Sequence, residues 1–235
     1  MFCRYSLRTT DVSAARAFYA ETIGLALSDD GLADGSALEV WPLQEQAIAR
    51  GAPAHWLGQL AVSDLEATVA HLVTLGGERL GPTVKARNGT TFAPLRDPFG
   101  AVIAVCAREQ SSSQSTVVWH QLHTRDLDGS WTLYHGLFGW AQRQRLELPD
   151  PVGGFCVFAW NGSGGAVGAM GNTARQPGVH AHWQFFFPVA NIDEASARVR
   201  TLGGTAMEPF TLPSGMRLTA CEDPQGAAFG LAQGA

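Results

Sequence analysis

Cysteine is scarce and scattered. Cys3, Cys106, Cys156 and Cys221 are the only four in 235 residues, and no two form a Cys-x-x-Cys pair. That spacing argues against a disulfide scaffold or a structural zinc site and for buried thiols. Charge is scarce as well: 16% of residues are charged, the formal net charge is −5, and lysine and arginine never cluster. Nucleic acid and acidic membrane surfaces both demand a concentrated positive field, so neither is an expected partner. No apolar run approaches the ~18 residues of a membrane-spanning helix. The opening Met-Phe-Cys-Arg passes straight into a strand pattern, without the charged start and apolar core of a secretory leader. A cytoplasmic protein is therefore expected. Gly-x-Ser-x-Gly, the nucleophile elbow, is missing. The run GSGGAVGAMG from Gly162 lacks the long apolar helix that must follow a phosphate-binding loop, and it reads as a glycine-rich strand.

What the chain does contain is a repeat. AHWLGQLAVSDLEATVAHLVTLGG at 54–77 returns, without a gap, as AHWQFFFPVANIDEASARVRTLGG at 181–204. Each copy is followed by an Asp-Pro-x-Gly turn and an apolar run, DPFGAVIAV from Asp97 and DPQGAAFGL from Asp223. Upstream, Asp11, Tyr19 and Gly24 recur with the same spacing as Asp126, Tyr134 and Gly139. The chain therefore reads as two halves, 1–110 and 117–235, joined by a polar linker at 111–116.

Each half divides again. FCRYSLRTTDVSAARAFYAETIGL spells a strand, an Asp N-cap, an amphipathic helix and a glycine stop, and LGQLAVSDLEATVAHLVTLGG spells the same. Short alternating runs broken by Gly, Pro and Asn then suit strands joined by turns. The expected fold is α+β, with four βαβββ modules in two pseudo-symmetric halves, each a curved sheet forming a cup with its helices outside.

These features resemble the vicinal oxygen chelate superfamily, which includes glyoxalase I, bleomycin-resistance proteins and extradiol dioxygenases. The resemblance runs over essentially the whole chain. It rests on DVSAARAFYAETIGL, DLDGSWTLYHGLFGW, the two TLGG helix ends and the two DPxG turns. It implies a cup able to hold a divalent metal through His and Glu, with open positions for two neighbouring substrate oxygens. The positions it implies for those ligands are Arg4, Glu39, Leu57 and Ala104 in the first half, and Trp119, Gln184 and Gly230 in the second. Glu39 alone is a metal-binding type, and one carboxylate does not retain a catalytic ion against water.

Strand parity suggests what lines the cups instead. In HWQFFFPVAN, Trp183, Phe185 and Phe187 share a wholly apolar face that belongs against a helix, leaving His182, Gln184 and Phe186 for the cup. On the opening strand of the same half, Leu122 marks the helix side with His120 and Thr124, so Trp119, Gln121 and His123 face the cup. Aromatic walls with a few hydrogen-bonding tips suit a small-ligand pocket. In the first half, Cys3, Tyr5 and Leu7 are expected on the helix side, and Arg4 and Arg8 in the cup with Glu39 and Gln59, where an Arg4–Glu39 ion pair would neutralise the charge. His180 and His182, two apart, form either a chelating pair or a strand entry whose rings cap backbone groups.

The expected function is binding of a small, partly aromatic organic ligand by a glyoxalase-like protein without the usual metal or another cofactor. The alternative is a metal-dependent lyase or extradiol-type dioxygenase using Glu39, His123 and His182 as unconventional ligands. A structural or partner-binding module is a third reading, and a homodimer is left open.

Overall fold

The computed structural model describes residues 1–25, 37–49, 51–86, 89–107, 116–148 and 153–234. Most of the 111–116 linker falls outside them. The first quarter of the chain contributes β1 (Phe2–Thr9), α1 (Val12–Ile23), β2 (Leu38–Pro42) and a short helix α2 (Glu45–Ala49). The second supplies β3 (His55–Val62), α3 (Leu65–Thr74), β4 (Glu78–Arg79), β5 (Val84–Lys85), β6 (Thr91–Arg96) and β7 (Val102–Ala107). The third is a plain βαβββ unit: β8 (Trp119–His123), α4 (Leu127–Phe138), β9 (Ala141–Glu147), β10 (Gly154–Ala159) and β11 (Gly168–Gly171). The fourth has β12 (His182–Pro188), α5 (Ile192–Thr201), β13 (Thr205–Ala206), β14 (Phe210–Thr211), β15 (Arg217–Glu222) and β16 (Ala228–Gln233). The strands up to β7 form one mixed sheet and those from β8 onward another. No helix among the described residues is long and apolar enough to cross a membrane.

The four main helices begin as their sequences dictate. Asp11, Asp64 and Asp126 each accept a hydrogen bond from the backbone N–H three residues on, at 2.9–3.0 Å, and Asn191 does the same at 3.2 Å. Gly24 and Gly139 end α1 and α4 in the left-handed conformation. The TLGG ends of α3 and α5 use their glycines differently. Gly76 and Gly203 supply the positive φ, whereas a Cβ on Gly204 would meet the Glu222 carbonyl oxygen at 2.6 Å.

The chain forms two compact units. One comprises Met1–Cys3, Gly58–Ser111 and His120–Trp183; the other comprises Arg4–Leu57, Ser112–Trp119 and Gln184–Ala235. In the first unit, β7 lies between β3 and β6, in parallel register with β3 (Gln59 opposite Ala104). There too, β8, β11, β10 and β9 are neighbours in that order. Its core stacks Trp140 on Phe158 at 4.7 Å and on Tyr134 at 5.2 Å, with Trp183 edge-on to Tyr134. In the second unit, β1 and β2 run parallel, and β12, β16 and β15 are successive neighbours. Its core gathers Tyr19, Trp56, Phe187 and Phe229.

The same three-residue chain braces both cores. Trp183 Nε1 donates to the Tyr134 hydroxyl (2.9 Å), which donates to Asp97 Oδ2 (2.9 Å). In the other unit Trp56 Nε1 donates to Tyr19 (2.9 Å) and Tyr19 to Asp223 (3.1 Å). The second carboxylate oxygen of each Asp accepts, at 2.9 Å, the backbone N–H of the third residue of its DPxG turn and that of the alanine just after it. Burial nonetheless raises the Asp97 and Asp223 carboxyls above their ordinary value and lifts both tyrosines far higher.

At the start of β1, Phe2 stacks on His120 at 5.2 Å and meets Trp183 edge-on, and the Cys3 sulfur lies 3.1 Å from that of Cys106. Tyr5 packs against the Phe185 ring at 5.0 Å.

Candidate functional site

In the unit containing residues 120–183, β8 presents Gln121 and His123 on one face. His123 lies ring-to-ring on His182, the first residue of β12, at 4.5 Å and 15°. The His123 Nδ1 is 2.6 Å from the Thr173 hydroxyl, on the 3-10 turn Asn172–Arg175. His182 Nδ1 is 2.9 Å from the carbonyl oxygen of His180. A carbonyl only accepts, so Nδ1 of His182 holds the proton. Burial, assisted by the neighbouring His123, pushes this imidazole down to about 3, so it is neutral near pH 7 and its Nε2 is an acceptor. His180 remains exposed in the loop, tilted against His182 at 4.7 Å. Gln121 is buried, and its Oε1 has no hydrogen-bond partner among the described residues. Such an atom calls for water or a ligand. Thr173 carries no sequence signal, since it lies far along the chain on a turn.

In the other unit the corresponding face is charged. The β1–β2 register sets Ser6 opposite Glu39 and Arg8 opposite Trp41, so Arg4, Arg8, Glu39 and Trp41 share a face. The expected Arg4–Glu39 ion pair is present but loose at 3.8 Å, while Trp41 Nε1 donates to the other Glu39 oxygen at 2.8 Å. Arg8 lies over the Trp41 ring, 5.1 Å from its centre. Burial lowers the Arg8 guanidinium below its usual value against the pull of Glu39, and it lowers His55 too. His55 repeats the His182 device, with Nδ1 2.8 Å from the Pro53 carbonyl. Trp41, two residues past Glu39, was legible as a neighbour on the same face yet is absent from the sequence-derived set.

The remaining candidates are buried. Gln59, in the first unit, has its Oε1 without a partner among the described residues, as does Trp119 Nε1 in the second. Gln184 donates its side-chain amide to the Phe229 carbonyl at 2.6 Å. Phe186 stands directly opposite Gly230 in parallel register, and a Cβ on Gly230 would fall 2.2 Å from the Phe186 ring.

These residues do not fit a resident divalent metal. Among the described residues, no three His, Cys, Asp or Glu side chains meet in an arrangement able to hold an ion. His123 and His182 each have Nδ1 within hydrogen-bonding distance of another group, Thr173 and the His180 carbonyl, and among the described residues no carboxylate or thiol completes a ligand set with them. At position 230 the space a ligand side chain needs is taken by Phe186.

Two family models match in tandem. A glyoxalase-like domain covers residues 4–106, and a glyoxalase/bleomycin resistance protein/dioxygenase superfamily domain covers 116–231. CFP32 of Mycobacterium tuberculosis, a glyoxylase by name, is 27% identical over 95% of this chain and 90% of its own length. The anthracycline biosynthesis protein DnrV of Streptomyces peucetius is 36% identical over 107 residues, 42% of this chain and 38% of its own. Among solved structures, a Mn(II)-bound glyoxalase from Novosphingobium aromaticivorans matches 99% of this chain and 81% of its own, with a TM-score of 0.66 at 14% identity. A 2,2',3-trihydroxybiphenyl 1,2-dioxygenase from Sphingomonas wittichii matches 100% of this chain and 90% of its own with the same score and identity. At such identity these two speak for the fold alone. With its repeated modules and the two domain matches covering nearly its whole length, the chain belongs to the vicinal oxygen chelate superfamily, as a tandem glyoxalase/bleomycin-resistance/dioxygenase-type protein.

Proposed function

We propose that this protein binds a small, partly aromatic organic molecule by hydrogen bonding and ring contact, without a resident divalent metal. The observation that carries the reading is the group Gln121, His123 and His182. It combines a buried amide oxygen in need of a donor, a neutral imidazole with its Nε2 set to accept, and a flat ring surface for an aromatic guest. A hydroxyl-bearing aromatic satisfies all three at once. DnrV, by name part of anthracycline biosynthesis, supports a small-molecule role.

The test is a thermal-shift screen with small phenols and hydroxylated aromatic ketones, on protein purified without chelator or metal-affinity resin. At least one class should raise the melting temperature. Gln121→Leu should abolish the shift while leaving the ligand-free protein about as stable, because an orphaned buried polar atom costs ~1–3 kcal/mol that Leu does not incur; His123→Leu should also abolish the shift, but at some cost in stability because it strands the Thr173 hydroxyl. Stoichiometric metal surviving dialysis, or a panel in which no compound shifts the transition, would overturn the reading.

A further inference from the structure

We infer that Cys3 and Cys106 form an oxidation site, closing to a reversible disulfide when a peroxide supplies the oxidising equivalents. The sequence separates these residues widely and gives no hint of pairing. The structure brings their sulfurs to 3.1 Å, inside ordinary van der Waals separation, and also lets the Cys3 thiol donate to the Gln59 carbonyl at 3.3 Å. A disulfide bond is about 2.05 Å long, so the sulfurs have roughly 1 Å left to close. Cys3 can supply that movement. It is half-buried near the start of β1, next to the exposed Met1. Cys106 is buried in β7 and provides the fixed end.

The chemistry balances with one equivalent of peroxide. The Cys3 thiolate attacks a peroxide oxygen, the O–O bond breaks, and water leaves as a sulfenic acid forms. The Cys106 sulfur then attacks that sulfenic sulfur, forming the S–S bond and releasing a second water. Both thiols lose a proton, the sulfurs together lose two electrons, and the peroxide is reduced. A thiol reductant reverses the bond by exchange. The other two cysteines are poor competitors. Both are buried, and burial pushes Cys156 up to about 11 and Cys221 up to about 12, which leaves almost no thiolate near neutral pH.

The experiment exposes the native protein to hydrogen peroxide, quenches with catalase, and alkylates in denaturant before mass analysis. Two of the four thiols should be lost, together with the mass of two hydrogen atoms. One cross-linked peptide pair should carry Cys3 and Cys106, and dithiothreitol should restore all four thiols. Cys3→Ser should keep all its thiols out of disulfide linkage, while Cys156→Ser should still lose two. The inference is overturned if four thiols persist, if Cys3 stops at a sulfenic or sulfinic acid, or if a different pair is linked. Should Cys106→Ser fail to fold, the peptide map of the unmodified sequence and the Cys3→Ser variant still decide the matter.

Discussion

The two units carry one bracing plan and two different linings. Trp183, Tyr134 and Asp97 in one, and Trp56, Tyr19 and Asp223 in the other, make the same hydrogen bonds to within a few tenths of an ångström. Around them the counterpart positions diverge. Where the first half of the sequence has Ser6 and Arg8, the second has Gln121 and His123, so one face is charged and the other neutral and flat-ringed. The helices diverge too. α1 packs on α5, with Arg198 donating to the Glu21 carbonyl at 2.9 Å. α3 and α4 instead border an open apolar cavity of about 330 Å³ beside Phe99, Leu133 and Leu137. What recurs is what a buried indole and phenol demand for satisfaction. What varies is surface that any side chain of suitable size can line.

The largest expected effect tests whether the two braces are equivalent. Trp183→Ala and Trp56→Ala should each cost about 3–5 kcal/mol in urea unfolding, since each removes a buried indole and a donor. Tyr134→Phe and Tyr19→Phe should each cost less, about 1–3 kcal/mol, by stranding an indole N–H and a buried carboxyl. A brace whose loss is silent while the other is costly would break the comparison.

A smaller effect concerns the strand pairs Gln59/Ala104 and Phe186/Gly230, which occupy corresponding places in the repeat. Gly230→Ala should destabilise by about 1–3 kcal/mol through overlap with the Phe186 ring. Adding Phe186→Leu should recover most of that loss. If Gly230→Ala is neutral by itself, the ring moves freely and the argument against a side chain at 230 fails.

The smallest effect is a difference in pH response. His120 stands where the other half has Tyr5, and burial holds its imidazole down to about 4, against about 6.5 in an unfolded chain. The unfolded chain therefore takes up this proton first as the pH drops. The stability tied to neutral His120 is complete above about 6.5 and is lost progressively toward about 4, at a slope of at most ~1.4 kcal/mol per pH unit. Half-buried His182 adds to the same trend. Unfolding curves at pH 7.5 and 5.0 should show His120→Phe losing less stability on acidification than the parent; equal losses would remove His120 from the account.

Helix boundaries were legible because caps and glycine stops are local: four N-caps and the αL ends follow from residues adjacent to each helix. On β12, alternation assigns Trp183 to the helix side, and its indole reaches Tyr134 of α4. Thr173 beside His123 and Cys106 beside Cys3 were illegible because each pairing joins residues remote in sequence and imposes no periodicity on either. The superfamily's ligand positions exposed the lack of metal-binding residue types, but not that Phe186 fills the space beside Gly230.

The bond from Tyr19 to Asp223 spans 204 positions of the chain. During ribosomal synthesis the segment carrying Tyr19 and Trp56 emerges well before the carboxylate that completes its brace, which follows Tyr19 by 204 residues. Asp97, Tyr134 and Trp183 become available sooner. The unit they brace can consolidate while residues 4–57 still await 184–235, exposing Phe18, Tyr19 and Trp56 to solvent or to a chaperone for that interval.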